Sequence, residues 1–244
     1  MSPRTASSVA RSWRLHATAT ALVCAAGMLP ALAFAHNISE SNASFVQQLN
    51  GPAVVPILYL GAKHMFTGYD HILFLVGVVF FLARPRDVVL YVSLFTLGHS
   101  ITLLGGVLAG WQANAYLVDA VIGLSVVYKA FENMGGFAGL PFRIDSRFAV
   151  TVFGLFHGLG LATRLKDLTL TDEGLVTNLL SFNVGVELGQ IAALAVVLLL
   201  LLRWRESARF ARQAFAANWV LMTCGVLLAG TQLGGYFLTE GFVG

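Results

Sequence analysis

The sequence predicts an all-α, polytopic membrane helix bundle with six transmembrane helices after a cleaved signal peptide. Three observations lead there. Hydrophobic residues make up 57% of the chain and charged residues only 11%, a balance foreign to soluble domains. The apolar residues fall in runs close to the ~20 residues that a spanning helix requires. Arginines recur on alternate connections between those runs, the asymmetry that orients spans in a bilayer.

Residues 1–35 read as a secretory signal: Arg4, Arg11 and Arg14, an apolar stretch from about Ala17 to Leu32, then the small-residue pattern Ala33-Phe34-Ala35. The mature chain is expected to begin at His36, with a polar periplasmic lead-in over 36–57 and a transmembrane domain over 58–244. The spans are placed at about 58–82, 88–109, 114–134, 148–165, 176–202 and 216–238. Their connections are too short for a separate soluble domain. Arg84 and Arg86 follow the first span, Arg143 and Arg147 the third, and Arg203, Arg205, Arg209 and Arg212 the fifth. Those connections are cytoplasmic by the positive-inside rule, which puts both termini in the periplasm, in agreement with an exported N-terminus.

Composition also excludes. The three arginines of the signal account for the whole formal net charge of +3, so nothing points to nucleic acid. Cys24 lies in the signal and Cys224 in the last span, which leaves no disulfide framework and no thiolate cluster. Any metal site must use nitrogen and oxygen. There is no Walker motif, so this chain alone is not expected to drive transport with ATP.

Against that background the polar groups inside the runs stand out, because a charged residue at a helix centre costs roughly 2.5 to 3.5 kcal/mol even on lenient insertion scales. His64 and His71 are seven residues apart and differ by only about 20° around a continuous helix, two turns apart on one face. Asp70 is a metal ligand or the partner that orients a ring nitrogen. Span two carries His99 and Ser100, span four His157, and span five Asn183, Glu187 and Gln190. His99, His157 and Glu187 fall near mid-bilayer, and Asn183 and Glu187, four apart, are taken to share a face. Gly154/Gly158 and Gly185/Gly189 are small-xxx-small pairs that let helices approach closely. Any one intramembrane histidine is explained by a hydrogen bond to backbone. Four of them with two carboxylates are better explained by a shared site.

The candidate ligands are therefore His64, Asp70, His71, His99, His157 and Glu187, supported by Asn183, Gln190, Asp119 and Ser100. Asp119, nearer the outer end of span three, also fits a solvated helix start, and Lys129 with Glu132 fits a structural ion pair. His36, as a first residue, would offer an α-amino nitrogen and an imidazole for capturing an ion; a mobile lead-in that holds nothing is the simpler reading. Imidazole with carboxylate suits nickel, cobalt, zinc, copper(II) or iron(II), and the ligand set does not choose among them.

The stretches His64-x5-Asp70-His71-Ile72-Leu73-Phe74, Phe95-Thr96-Leu97-Gly98-His99-Ser100-Ile101-Thr102-Leu103, Phe153-Gly154-Leu155-Phe156-His157-Gly158-Leu159-Gly160 and Phe182-Asn183-Val184-Gly185-Val186-Glu187-Leu188-Gly189-Gln190 resemble the HupE/UreJ family of bacterial membrane proteins over essentially the whole mature chain. The resemblance implies a nickel or cobalt permease in a bacterial inner membrane, associated with hydrogenase and urease gene clusters. The expected partners are then the metal ion, the lipid bilayer and metalloenzyme-maturation proteins. The opening stretch is also similar to the His-x4-Asp-His signature of the wider nickel/cobalt transporter family, with one more residue before Asp70. The expected function is a secondary permease for a divalent transition metal. The alternatives are an intramembrane zinc hydrolase, in which Glu187 activates water, and a metal-binding accessory protein that transports nothing.

Overall fold

Among the described residues seven helices stand where the sequence pattern has six apolar runs, because the first run is broken. The computed structural model describes residues 51–139, 141, 144–166 and 174–239. The expected signal peptide, the lead-in through residue 50 with His36, and Arg143 lie outside the described residues. The helices are α1 (Val54–Thr67), α2 (Tyr69–Val79), α3 (Pro85–Leu108), α4 (Ala115–Asn133), α5 (Ser146–Lys166), α6 (Leu175–Arg205) and α7 (Phe210–Thr239). No strand occurs among the described residues. Among the described residues four helices, α3, α5, α6 and α7, are long and apolar enough to cross a membrane. Helix α4 has 19 residues but carries Asp119, Lys129 and Glu132.

The break falls at Gly68, where φ is −77° and ψ 93°. The Gly68 N–H closes α1 on the His64 carbonyl at 2.9 Å, and the Gly68 carbonyl accepts from the Ile72 N–H at 3.2 Å to open α2. This corrects the expectation of one continuous helix with His64 and His71 two turns apart. Broken helices are tolerated at membrane depth only where protein or a polar cavity satisfies the freed backbone, and α2 is surrounded by protein. It touches α1, α4, α6 and α7, and its Phe74, Val78 and Val79 pack with Phe95, Val126, Val150 and Leu221.

Around α2 the other helices are joined mainly in three pairs, α3 with α5, α4 with α7, and α1 with α6. In lipid, helices gain little from the hydrophobic effect and associate through close packing. The glycines permit it. Gly158 of α5 lies against the backbone of His99 on α3, and Gly185 of α6 against that of Leu58 on α1, at separations no Cβ would allow.

Each end of the broken run is anchored by a polar side chain from elsewhere. Ala53 has no capping group of its own, and Asn178 of α6 accepts its N–H at 2.8 Å while donating to the Gly51 carbonyl at 3.2 Å. At the far end, the Arg205 guanidinium donates to the carbonyls of Val79 and Phe80, each at 2.6 Å, and of Leu82 at 2.9 Å. These are the orphan acceptors at a helix C-terminus, where positive charge also meets the negative end of the dipole. Asn133 of α4 adds a bond to the Gly77 carbonyl at 2.9 Å. A hydrogen bond to a charged group contributes about 1.5 to 3 kcal/mol, so Arg205→Ala is expected to destabilise the protein by about 2 kcal/mol or more. Thermal unfolding in detergent measures it, and an unchanged midpoint would show that α2 does not depend on this anchor.

Candidate metal centre

The N-terminal turn of α2 brings Asp70 and His71 into the middle of the bundle, where they are 0% and 3% exposed. His71 Nδ1 is 3.0 Å from Asp70 Oδ2. Three other imidazoles surround the His71 ring. Centroid distances are 5.1 Å to His64 at the end of α1, 4.9 Å to His157 on α5 and 6.3 Å to His99 on α3. One ligand atom each from Asp70, His71 and His157 lie within 4.8 Å of one another. The His157 Nδ1 is 2.8 Å from the Phe153 carbonyl, which assigns the ring proton to Nδ1 and leaves the lone pair on Nε2, the arrangement that orients metal-bound imidazoles.

His71 Nε2 is buried and meets no hydrogen-bond partner among the described residues. A buried polar atom in that state costs on the order of 1–3 kcal/mol, and coordination to a cation removes the deficit. His64, in the last turn of α1, meets the His71 ring across the break at Gly68, with centroids 5.1 Å apart.

Phe74 and Phe95, both fully buried, form an apolar wall beside the rings. Phe95 lies 5.0 Å from His157 and 6.4 Å from His71, and Phe74 lies 5.4 Å from His157. Phe95 stands four residues before His99 and so shares its helix face. On the other side, α3 and α6 are bridged by hydroxyl-to-amide bonds. Thr96 donates to Gln190 Oε1 at 2.8 Å, and Ser100 donates to Asn183 Oδ1 at 3.3 Å. Three of the four supporting residues named from sequence thus form one polar seam next to His99, and Thr96 joins them.

Two sequence-based assignments change. Glu187 does not face the cluster: it is exposed on the outer side of α6, in line with Val184, Leu188 and Ile191. The inward face of α6 runs through Gly185, Val186, Gly189 and Gln190, and at 100° per residue Glu187 is turned about 130° from its centre. Asp119 is buried but pairs with Arg164 of α5, so it belongs to an ion pair between α4 and α5. Lys129 pairs with Glu132, and both meet the Ser146 hydroxyl at 3.2 Å.

The fold and this centre define an α-helical membrane protein with a buried group of imidazoles and one carboxylate. The family model described as HupE / UreJ protein matches residues 40–240, and the chain belongs to the HupE/UreJ family. Comparison with curated proteins and with solved structures finds no match.

Proposed function

We propose that this protein is a secondary permease that moves a divalent transition metal, nickel or cobalt before other ions, across a bacterial inner membrane into the cytoplasm. The observation that carries the reading is the buried convergence of Asp70, His71 and His157 donor atoms within 4.8 Å, with His64 and His99 beside it, in a chain of the HupE/UreJ family. Nitrogen and carboxylate donors suit borderline divalent ions. A permease must also release its cargo, and a small mixed donor set completed by water holds an ion less tightly than a closed cage. Six crossings follow if α1 and α2 together make one, and Arg84 and Arg86 at the start of α3, Arg143 and Arg147 at the α4–α5 connection, and Arg203, Arg205, Arg209 and Arg212 around the α6–α7 connection then face the cytoplasm, with both termini periplasmic. Metalloenzyme-maturation proteins are the expected recipients. The hydrolase reading loses support because Glu187, its water-activating carboxylate, faces outward.

The test is uptake of Ni2+ or Co2+ by proteoliposomes, with metal content of the purified protein measured in parallel. Accumulation above protein-free vesicles is expected. Stoichiometric binding without flux would replace the permease by an accessory protein. In the same assay Glu187→Gln is expected to keep wild-type metal content, since its side chain is not among the converging donors. A metal-free Glu187→Gln protein would return this residue to the ligand set.

A further inference from the structure

The glycine at the helix break is not required by its backbone. Gly68 has negative φ, at values any L residue adopts (φ −77°, ψ 93°), and its N–H and carbonyl would make the same two helix-end bonds with a side chain present. What a side chain would meet is the centre itself. A Cβ on Gly68 would lie 2.8 Å from His71 Nδ1, 3.1 Å from Asp70 Oδ1 and 3.2 Å from the His64 carbonyl oxygen. The first distance is shorter than real Cβ contacts, and the second is tighter than nearly all of them. Both donors are side-chain atoms, which a methyl would displace without parting two helices. The His71 ring is edged by His157 at 4.9 Å, His64 at 5.1 Å and Phe95 at 6.4 Å, and Asp70 is wholly buried.

We propose that Gly68 is a positioning residue for metal binding: its missing Cβ lets His71 Nδ1 and Asp70 Oδ1 rest against the backbone of the α1–α2 turn, in register with His157. The proposal rests on the metal-site reading above and adds to it a residue with no ligating atom. Gly61 and Gly185 provide the contrast. A Cβ at Gly61 would strike the Phe182 backbone, and one at Gly185 the Leu58 backbone, so those glycines serve the α1–α6 crossing.

The experiment compares wild type, Gly68→Ala and Gly185→Ala in detergent, reading Co2+ affinity, the visible d–d spectrum of bound Co2+ and thermal unfolding of the metal-free protein. Gly68→Ala is expected to weaken Co2+ binding at least ten-fold, on the scale of outer-shell changes at metal sites. It should also alter the d–d bands while leaving the metal-free unfolding midpoint near wild type. Gly185→Ala is expected to lower the midpoint. Wild-type affinity and spectrum in Gly68→Ala overturn the proposal while leaving the metal site standing. No Co2+ on wild type removes the site reading and the proposal together. If Gly68→Ala does not fold, the double variant Gly68→Ala/His71→Ala removes the nearest atom: recovered folding supports the steric origin, and continued failure to fold overturns it.

Discussion

His71→Ala is expected to strip most bound Ni2+ or Co2+ from the purified protein while leaving it inserted and helical. The His71 ring is the hub of the centre, with the rings of His64, His157 and His99 at 5.1, 4.9 and 6.3 Å and the Asp70 carboxylate at 3.0 Å. Truncation removes a ligand, and it also removes the group against which Asp70 is oriented. Loss of an outer-shell partner alone costs 10–100-fold in metal affinity, so loss of this inner ligand is expected to cost about 100-fold or more. The fold is protected because α2 is fixed at its other end, by Arg205 on the carbonyls of Val79, Phe80 and Leu82 and by Asn133 on that of Gly77. Metal per protein after gel filtration, read beside helical content from circular dichroism, separates the two effects. Wild-type occupancy in His71→Ala would move the site elsewhere. His64→Ala, where the ring is only half-buried, is expected to lose less.

The order of the helices was legible because lipid forces it: long apolar runs with arginines between them have few alternatives to spanning helices. So was the convergence of the four histidines and Asp70, since polar groups in such runs converge on one another or are hard to insert. The break at Gly68 was not legible. A glycine inside an apolar helix is common, no proline marks the turn, and what distinguishes this position is three-dimensional: the donors of His71 and Asp70 already fill the space where a Cβ would go.

Glu187 shows a different limit. Its spacing from Asn183 and Gln190 puts it close to both around the helix axis, and charge then argued for an inward position. Helix α6 is apolar nearly all round, so hydrophobic patterning could not choose its phase. The contact of Gly185 and Gly189 with α1 chose it, and that contact turns Gln190 inward and Glu187 out. Asp119 was misread for want of its partner: Arg164 stands 45 residues later, and no local spacing links the two.

Gly158→Ala is expected to damage fold and site together, because this glycine is where the α3–α5 crossing and the centre meet. An added methyl would collide with the His99 carbonyl and the Thr102 hydroxyl. That hydroxyl donates to the Leu155 carbonyl at 2.7 Å and thereby ties α3 to α5. Backbone cannot yield as a side-chain end can, so the helices must separate, and overpacking of this kind costs about 1–3 kcal/mol. His99 precedes the crossing on one helix and His157 adjoins it on the other, so the same separation pulls two imidazoles apart. Gly160→Ala is the matched comparison on the same helix. Its Cβ would approach Ile122 Cδ1 at 3.2 Å and Val118 Cγ1 at 3.3 Å, side-chain ends that can move by a few tenths of an ångström. The expected result is a lower unfolding midpoint and lost Co2+ for Gly158→Ala, with values near wild type for Gly160→Ala. Equal behaviour of the two variants would show that backbone contact at Gly158 does not set the spacing of the site.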